Sequence, residues 1–165
     1  MLSIFFFGLA AFAKAFPTTD LSPRQTKPYQ IRGVQDPIYH LCLQALHSSS
    51  SVPVMGPEAS GEYFVIGPTI QSTNTSMYLN IGTSSTSYLP LYFNSTASTI
   101  AWGLEGDTII TETGSTYGRQ LNFLVCPASE TSGTGYYDLY LQTGSDTPSG
   151  RTCSNYQTIH LPCLC

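Results

Sequence analysis

Charged side chains are scarce in this sequence. Lys, Arg, Asp and Glu make up 10% of its 165 residues, whereas soluble proteins average about 25%. The six basic residues do not form a cluster of the kind that contacts phosphates, so nucleic acid is not expected as a partner. Ser, Thr, Gly and Tyr take the place of charged residues, which predicts a surface hydrated mainly through hydroxyl groups.

The sequence also lacks an apolar run as long as the roughly 20 residues that a membrane helix needs. Its most apolar run, residues 2–12, is shorter and precedes the small-x-small sequence Ala13-Lys14-Ala15. A short apolar run before such a site is typical of a signal peptide. We therefore expect residues 1–15 to be cleaved, the mature protein to be secreted, and no membrane contact after cleavage. A signal anchor is the alternative.

Helical periodicity is missing as well, because apolar residues outside the signal peptide nowhere keep a 3.6-residue period over three turns. Short stretches instead alternate apolar and polar residues between Gly and Pro breakers, which is typical of strands. The predicted strands are 38–44, 63–66, 77–81, 89–93, 100–104, 108–111, 121–126 and 137–142. This pattern predicts an all-β fold, a single antiparallel β-sandwich or barrel stapled by disulfides. Echoes between strands are interpreted as shared strand preferences rather than as an internal repeat.

The connecting segments are predicted from Pro, Gly and Ser. Residues 16–36 contain Pro17, Pro23 and Pro28 and few apolar residues, so a disordered lead or pro-segment is expected there, with the β domain over 37–165. Residues 47–53 are predicted as a polar loop, and Gly106 as the centre of a tight turn.

Five cysteines in a secreted chain predict disulfides with one cysteine left over. They are Cys42, Cys126, Cys153, Cys163 and Cys165. Cys163 and Cys165 are too close in sequence for an easy mutual bond. The preferred pair is Cys126 with Cys153, and the second would join Cys42 to Cys163 or Cys165, although the sequence alone allows many pairings.

No arrangement of catalytic residues stands out, and we expect neither an enzyme nor a cofactor. The histidines are His40, His47 and His160, and there is no G-x-S-x-G motif. Glu105 and Asp107 could form a carboxylate pair for glycoside hydrolysis, but solvated turn residues are the preferred interpretation. His160, Cys163 and Cys165 have a metal-ligand spacing, yet cysteines in an oxidising compartment usually form disulfides, so no metal is expected.

Tyrosines are abundant, and they supply the candidate ligand contacts. Tyr combines a flat apolar face with a hydroxyl, which suits stacking on sugar rings, while half-buried strand filler is the structural alternative. The candidate glycan-contact residues are Tyr88, Trp102, Tyr136 and Tyr140. Asn74-Thr75-Ser76 and Asn94-Ser95-Thr96 have the form of N-glycosylation acceptors, so Asn74 and Asn94 are expected to carry sugars.

The order of motifs near the C-terminus is similar to a known family. Cys126, the run Gly135-Tyr136-Tyr137-Asp138-Leu139-Tyr140, Cys153 and the run Thr158-Ile159-His160-Leu161 follow one another. This order resembles the C-terminal domain of fungal PIR-type cell-wall mannoproteins and of phialide-type cell-wall proteins, mainly over residues 121–165. The resemblance implies a secreted, glycosylated β domain of the fungal cell wall or culture fluid with no established chemistry.

The sequence departs from that family in two respects. It lacks the Gln-rich repeat through which PIR proteins are esterified to wall glucan, and Cys163-Leu164-Cys165 is not followed by a hydrophobic tail. The expectation is therefore a freely secreted or loosely wall-associated, non-enzymatic structural or interaction protein with cell-wall glycans as partners. The alternatives are a lectin-like carbohydrate-binding module that uses surface tyrosines, and a small secreted hydrolase or effector.

Overall fold

The structure is a computed structural model that describes residues 27–128 and 135–162. This part of the chain forms thirteen strands and one 3-10 turn, Glu58–Ser60. The strands are β1 Arg32–Gly33, β2 Cys42–Leu46, β3 Ser49–Gly56, β4 Phe64–Ile66, β5 Ile70–Ser72, β6 Tyr78–Ile81, β7 Tyr88–Asn94, β8 Trp102–Glu105, β9 Thr108–Thr111, β10 Phe123–Pro127, β11 Tyr137–Gln142, β12 Ser154–Gln157 and β13 Ile159–His160. None of the described helical residues forms a segment long and apolar enough to cross a bilayer.

Eleven strands are hydrogen-bonded side by side in the order β4-β5-β6-β7-β11-β3-β2-β1-β13-β9-β8, with antiparallel pairing between neighbours. The last two strands extend the sheet from β11, because β10 pairs with β11 and β12 pairs with β10. Each end strand of the series has a further backbone partner: Phe64 of β4 exchanges hydrogen bonds with Tyr29, and the Trp102 amide of β8 donates to the Pro68 carbonyl. The sheet is therefore a nearly closed antiparallel barrel or sandwich, which confirms the predicted all-β fold.

The alternation of side chains along the strands explains which residues form the hydrophobic core. In β11, Leu139 and Leu141 are buried, and they pair across to Val125 and Phe123 of β10, which are fully buried too. Residues one position along, such as Asp138 and Tyr140, point to the other face because strand side chains alternate. Tyr137 lies on the core side and packs against the buried apolar cluster.

Strand β11 forms a fork in the sheet. Along one edge, its first residues pair with β3 (Asp138 with Val54) and its last residues with β7 (Tyr140 with Pro90). Pro53 and Pro90, which lack an N–H donor, both line a groove of about 240 Å³ at this fork. Pro is tolerated where the hydrogen-bond ladder is interrupted.

Several strand limits differ from the predictions. The sheet begins before residue 37, because Ile31 is fully buried and Arg32–Gly33 pairs with both β2 and β13; the nearby prolines concealed this short strand. Residues 38–41 form a turn rather than the start of a strand, with His40 at φ 62° outside the extended region. The predicted polar loop 47–53 is largely strand β3, which pairs with β2 from Ser49 onwards and whose first residues are solvated. β5 was not predicted.

Other local predictions are confirmed. Strands β9 and β11 have the predicted limits, and the predicted strands 121–126 and 137–142 correspond to β10 and β11, which pair antiparallel. Gly106 lies in the two-residue turn between β8 and β9 with φ +63°, a conformation that favours glycine. The predicted signal peptide 1–15 and residues 16–26 of the predicted lead lie outside the described residues.

The preferred disulfide, Cys126–Cys153, is present, and it joins β10 to the segment that precedes β12. Cys42 is buried and bonds to no cysteine within the described residues. Cys163 and Cys165, its predicted partners, lie outside the described part of the chain.

Candidate functional site

The outward face of β11 brings together two of the candidate glycan-contact tyrosines. The rings of Tyr88 and Tyr140 meet edge to face, with centroids 5.5 Å apart and planes at 82°. We call Tyr88 and Tyr140 the tyrosine pair. Both side chains are half-buried, and Tyr140 also lines the groove at the fork of the sheet. Their positions follow from strand pairing, because Tyr140 lies opposite Pro90 and Gln142 opposite Tyr88.

Arg151 anchors this face. Its guanidinium donates hydrogen bonds to Asp138 Oδ2 at 2.7 Å, to the Tyr140 hydroxyl at 3.2 Å and to the Pro127 carbonyl. Burial raises the pKa of Tyr140, the Asp138 carboxylate raises it further, and Arg151 opposes both. The pKa of Arg151 is raised too: burial lowers it, but the hydrogen bond and charge of Asp138 outweigh that effect. At neutral pH the outward face of β11 therefore carries the neutral phenol of Tyr140 beside the Arg151–Asp138 ion pair.

The other two candidate glycan-contact residues are placed differently. Trp102 is 1% exposed and its indole N–H donates to the Leu79 carbonyl at 2.9 Å, so the prediction that it contacts a glycan is wrong. Large aromatic rings contribute strongly to a core, and the local sequence does not indicate which face of β8 is inward. Tyr136 is half-buried and its ring lies over Gly56, where an added Cβ would be 2.5 Å from Cε1.

A second surface, which the sequence did not reveal, contains a polar cleft of about 290 Å³. We call it the amide cleft. It is lined by three side-chain amides, two hydroxyl side chains, one glycine and one tyrosine. These are Gln120, Asn122, Gln142, Thr143, Gly144, Ser145 and Tyr156.

Gln142 organises the amide cleft. It is 2% exposed, and its Nε2 donates to the Gly144 carbonyl and to Asn155 Oδ1, both at 2.8 Å. Its Oε1 accepts the Tyr156 amide at 2.7 Å. Gln35 Nε2 donates to the Tyr156 carbonyl at 2.9 Å, so glutamine side chains hold this residue from both sides. Tyr156 has φ 56°, and its side chain is exposed.

A third cleft, of about 420 Å³, lies between the segment before β8 and the segment after β9. Exposed Ile100, half-buried Tyr117 and the exposed Glu112 contribute to it, together with Ser98 and Thr116. It is more apolar than the amide cleft and includes a carboxylate.

The predicted catalytic candidates contact other side chains. Glu105 forms a bidentate ion pair with Arg119, with both N–O distances 2.7 Å. Asp107 Oδ1 lies 3.1 Å from His160 Nδ1, and His160 Nε2 lies 2.9 Å from Thr158 Oγ1. Glu105 and Asp107, which were considered as a pair from the sequence, thus have separate partners, Arg119 and His160. The His40 ring lies against the Tyr39 ring, with centroids 3.8 Å apart and planes tilted by 50°, and His47 is exposed.

Both glycosylation acceptors lie on the surface. Asn74 is exposed in the turn after β5, and Asn94 is exposed at the end of β7. Asn94 Oδ1 accepts the Thr96 amide at 2.9 Å. Within residues 27–128 and 135–162, no three His, Cys, Asp or Glu side chains are grouped so that they could hold a metal ion.

No protein-family model matches the sequence, and comparisons with the curated proteins and with the solved structures give no significant match. The functional argument therefore depends on the sequence and on the surfaces described above.

Proposed function

We propose that this chain is a secreted, non-enzymatic structural or interaction protein of a fungus, located in the extracellular medium or associated with the cell wall. The main support is the Cys126–Cys153 disulfide between β10 and the segment before β12. Such bonds form and persist in oxidising compartments outside the cytosol. The short apolar run before Ala13-Lys14-Ala15 and the resemblance over residues 121–165 point to the same location.

Surface chemistry supports a role in contact rather than in catalysis. The exposed Asn74 and Asn94 can accept sugars without disturbing the core. The acidic groups nearest to a hydrolytic arrangement, Glu105 and Asp107, are bound to Arg119 and His160. Each of the two carboxylates is thus held by a partner of its own, and the two do not act on a shared site.

Fractionation of the source culture tests the location. We expect the protein in the culture medium or in a wall fraction released by detergent, because no covalent attachment is proposed. Antibody detection in the medium, the detergent extract, the glucanase extract and the cytosol separates the cases. Detection only in the cytosol would refute the proposal, and release only by glucanase would refute loose association.

Carbohydrate binding through the tyrosine pair is a second candidate function. It is favoured by the edge-to-face contact of Tyr88 and Tyr140 beside the groove at the fork, where a ring face and the Asp138–Arg151 ion pair are adjacent. A glycan array probed with wild type, Tyr88→Ala and Tyr140→Ala tests it. Tyr63→Ala is the control because Tyr63 is exposed and does not line this groove. Binding that is equal in all four proteins would exclude this surface.

A further inference from the structure

We propose that the amide cleft is a binding site for a neutral saccharide, with Tyr156 as the stacking platform. The inference rests on the proposed extracellular role and goes beyond the second candidate function. It places the contact at a different surface from the tyrosine pair, because none of the residues that line the amide cleft belongs to that pair.

The lining of the amide cleft defines the ligand chemistry. It contains amide and hydroxyl groups and one aromatic ring, and no residue that lines it carries a formal charge. Charged ligands are recognised by Arg, Lys or carboxylate partners, and desolvating an unpaired charge is costly. A neutral ligand with many hydroxyl groups both donates and accepts hydrogen bonds, as amides do. At about 290 Å³ the cleft is at the small end of ligand sites, which suits one or two sugar units of a longer chain.

Tyr156 is presented as a fixed platform. Its side chain is 58% exposed, while its backbone N–H and carbonyl are bonded to Gln142 and Gln35. A left-handed conformation costs energy for a residue other than glycine and persists where its surroundings enforce it. Because the backbone is already held, the entropy lost when a ligand stacks on the ring is confined to the side chain.

Polar groups in the cleft remain available to a ligand. The Asn122 side-chain amide, the Gln120 Oε1 and the Ser145 hydroxyl make no hydrogen bond to any residue within the described ranges. Gln142, in contrast, uses its amide entirely to position its neighbours. Within the described residues, the cleft therefore contains a glutamine whose amide is fully used in the fold. It also contains polar side-chain groups that are free to bind a ligand.

Titration calorimetry on the full secreted protein tests the inference. The probes are two neutral oligosaccharides, laminarihexaose and mannohexaose, and two charged ones, hexagalacturonate and chitosan hexamer. We expect wild type to bind at least one neutral probe more tightly than either charged probe. Tyr156→Gly is expected to weaken that binding at least about tenfold, or about 1.4 kcal/mol, because it removes the stacking ring. Glycine accepts φ 56° without strain, so this variant keeps the fold.

Asn122→Ala is expected to weaken binding of the same probe about threefold or more, and Tyr63→Ala is the matched control, since Tyr63 is 50% exposed but lies outside the cleft. In a ¹⁵N-labelled sample, the side-chain amide signal of Asn122 should shift when the neutral probe is added.

No binding of either neutral probe, preference for a charged probe, or undiminished binding by Tyr156→Gly would each overturn the inference. Binding that is lost in Tyr140→Ala and kept in Tyr156→Gly would move the site to the tyrosine pair. Detection of the protein only in the cytosol would instead refute the extracellular role.

Discussion

Arg151 holds several parts of the outward face together. It contacts Asp138 on β11, the Tyr140 hydroxyl and the Pro127 carbonyl at the end of β10. The Arg151 and Asp138 side chains are only 21% and 22% exposed, whereas Arg119 and Glu105 are 42% and 56% exposed. Because solvent screens exposed pairs, the two salt bridges should differ in their contribution to stability.

We predict that Arg151→Ala lowers the free energy of unfolding by about 1.5–3 kcal/mol, since a partly buried carboxylate loses its charged partner. Arg119→Ala should lower it by less than about 1 kcal/mol. Urea denaturation followed by circular dichroism measures both. Equal effects of the two substitutions would contradict the role assigned to Arg151.

Cys42 is a buried residue whose ionisation depends on folding. The pKa of the Cys42 thiol is raised from 9.0 to about 11, chiefly by burial and also by the charge of Glu58, while Arg32 opposes the change. Between these two pH values the unfolded chain loses a proton that the folded chain keeps. The stabilising contribution is therefore fully present below pH 9 and declines as the pH rises towards 11.

We predict that the unfolding free energy of wild type falls between pH 9 and pH 11 more steeply than that of Cys42→Ala. The difference in slope cannot exceed about 1.4 kcal/mol per pH unit, the value for one proton. Urea denaturation at pH 8, 9, 10 and 11 compares the two proteins, which share every other titrating group. Parallel curves would show that Cys42 ionises equally in both states.

At the scale of the strands, alternation was informative where one face is buried and the other is wet. The limits of β11 are predictable because Leu139 and Leu141 alternate with other residues, whereas β9 is a short run of β-branched residues after the Gly106 turn. The sequence does not predict β3, because its first residues are serines. It does not predict β1 either, because the buried Ile31 just before this two-residue strand is too little to form a pattern. Pairing with neighbouring strands forms such elements, and a local pattern does not contain that information.

The disulfide between β10 and the segment before β12 should be an important local constraint. Cys126 and Cys153 are 27 residues apart in sequence, and a bond that closes a loop of this size is worth about 3.5 kcal/mol in the chain-entropy description. We predict that the double substitution Cys126→Ala, Cys153→Ala lowers the unfolding free energy by about that amount. Urea denaturation measures it, with Cys42→Ala as the single-cysteine control. A loss below about 1 kcal/mol would contradict the prediction.

At the scale of the whole molecule, the amide cleft could not be predicted, because its residues come from three separate parts of the chain. Gln120 and Asn122 precede β10, Thr143 follows β11, and Tyr156 is in β12. The tyrosine pair was identified in part, since Tyr88 and Tyr140 were both candidates, but their contact depends on the pairing of β7 with β11. Composition indicated a tyrosine-rich surface, and only the strand order shows which rings meet.

Glycosylation is a prediction for the whole secreted protein. We expect the intact mass to fall on treatment with an N-glycan amidase, and Asn74→Gln and Asn94→Gln each to remove one glycan. Because both side chains are exposed, each substitution should change the unfolding free energy by no more than about 0.5 kcal/mol. Mass spectrometry of the secreted protein measures the sugars, and an unchanged mass after amidase treatment would contradict both sites.

The hydrogen bonds of Tyr29 to β4 and of the Trp102 amide to Pro68 have a consequence for behaviour at high concentration. An unpaired outer strand is a template on which another chain can add a strand, and this is a common start of fibril formation. Here the backbone groups of both terminal strands are already partly occupied from within the same molecule. Strand addition at β4 or β8 should therefore first require these two contacts to open.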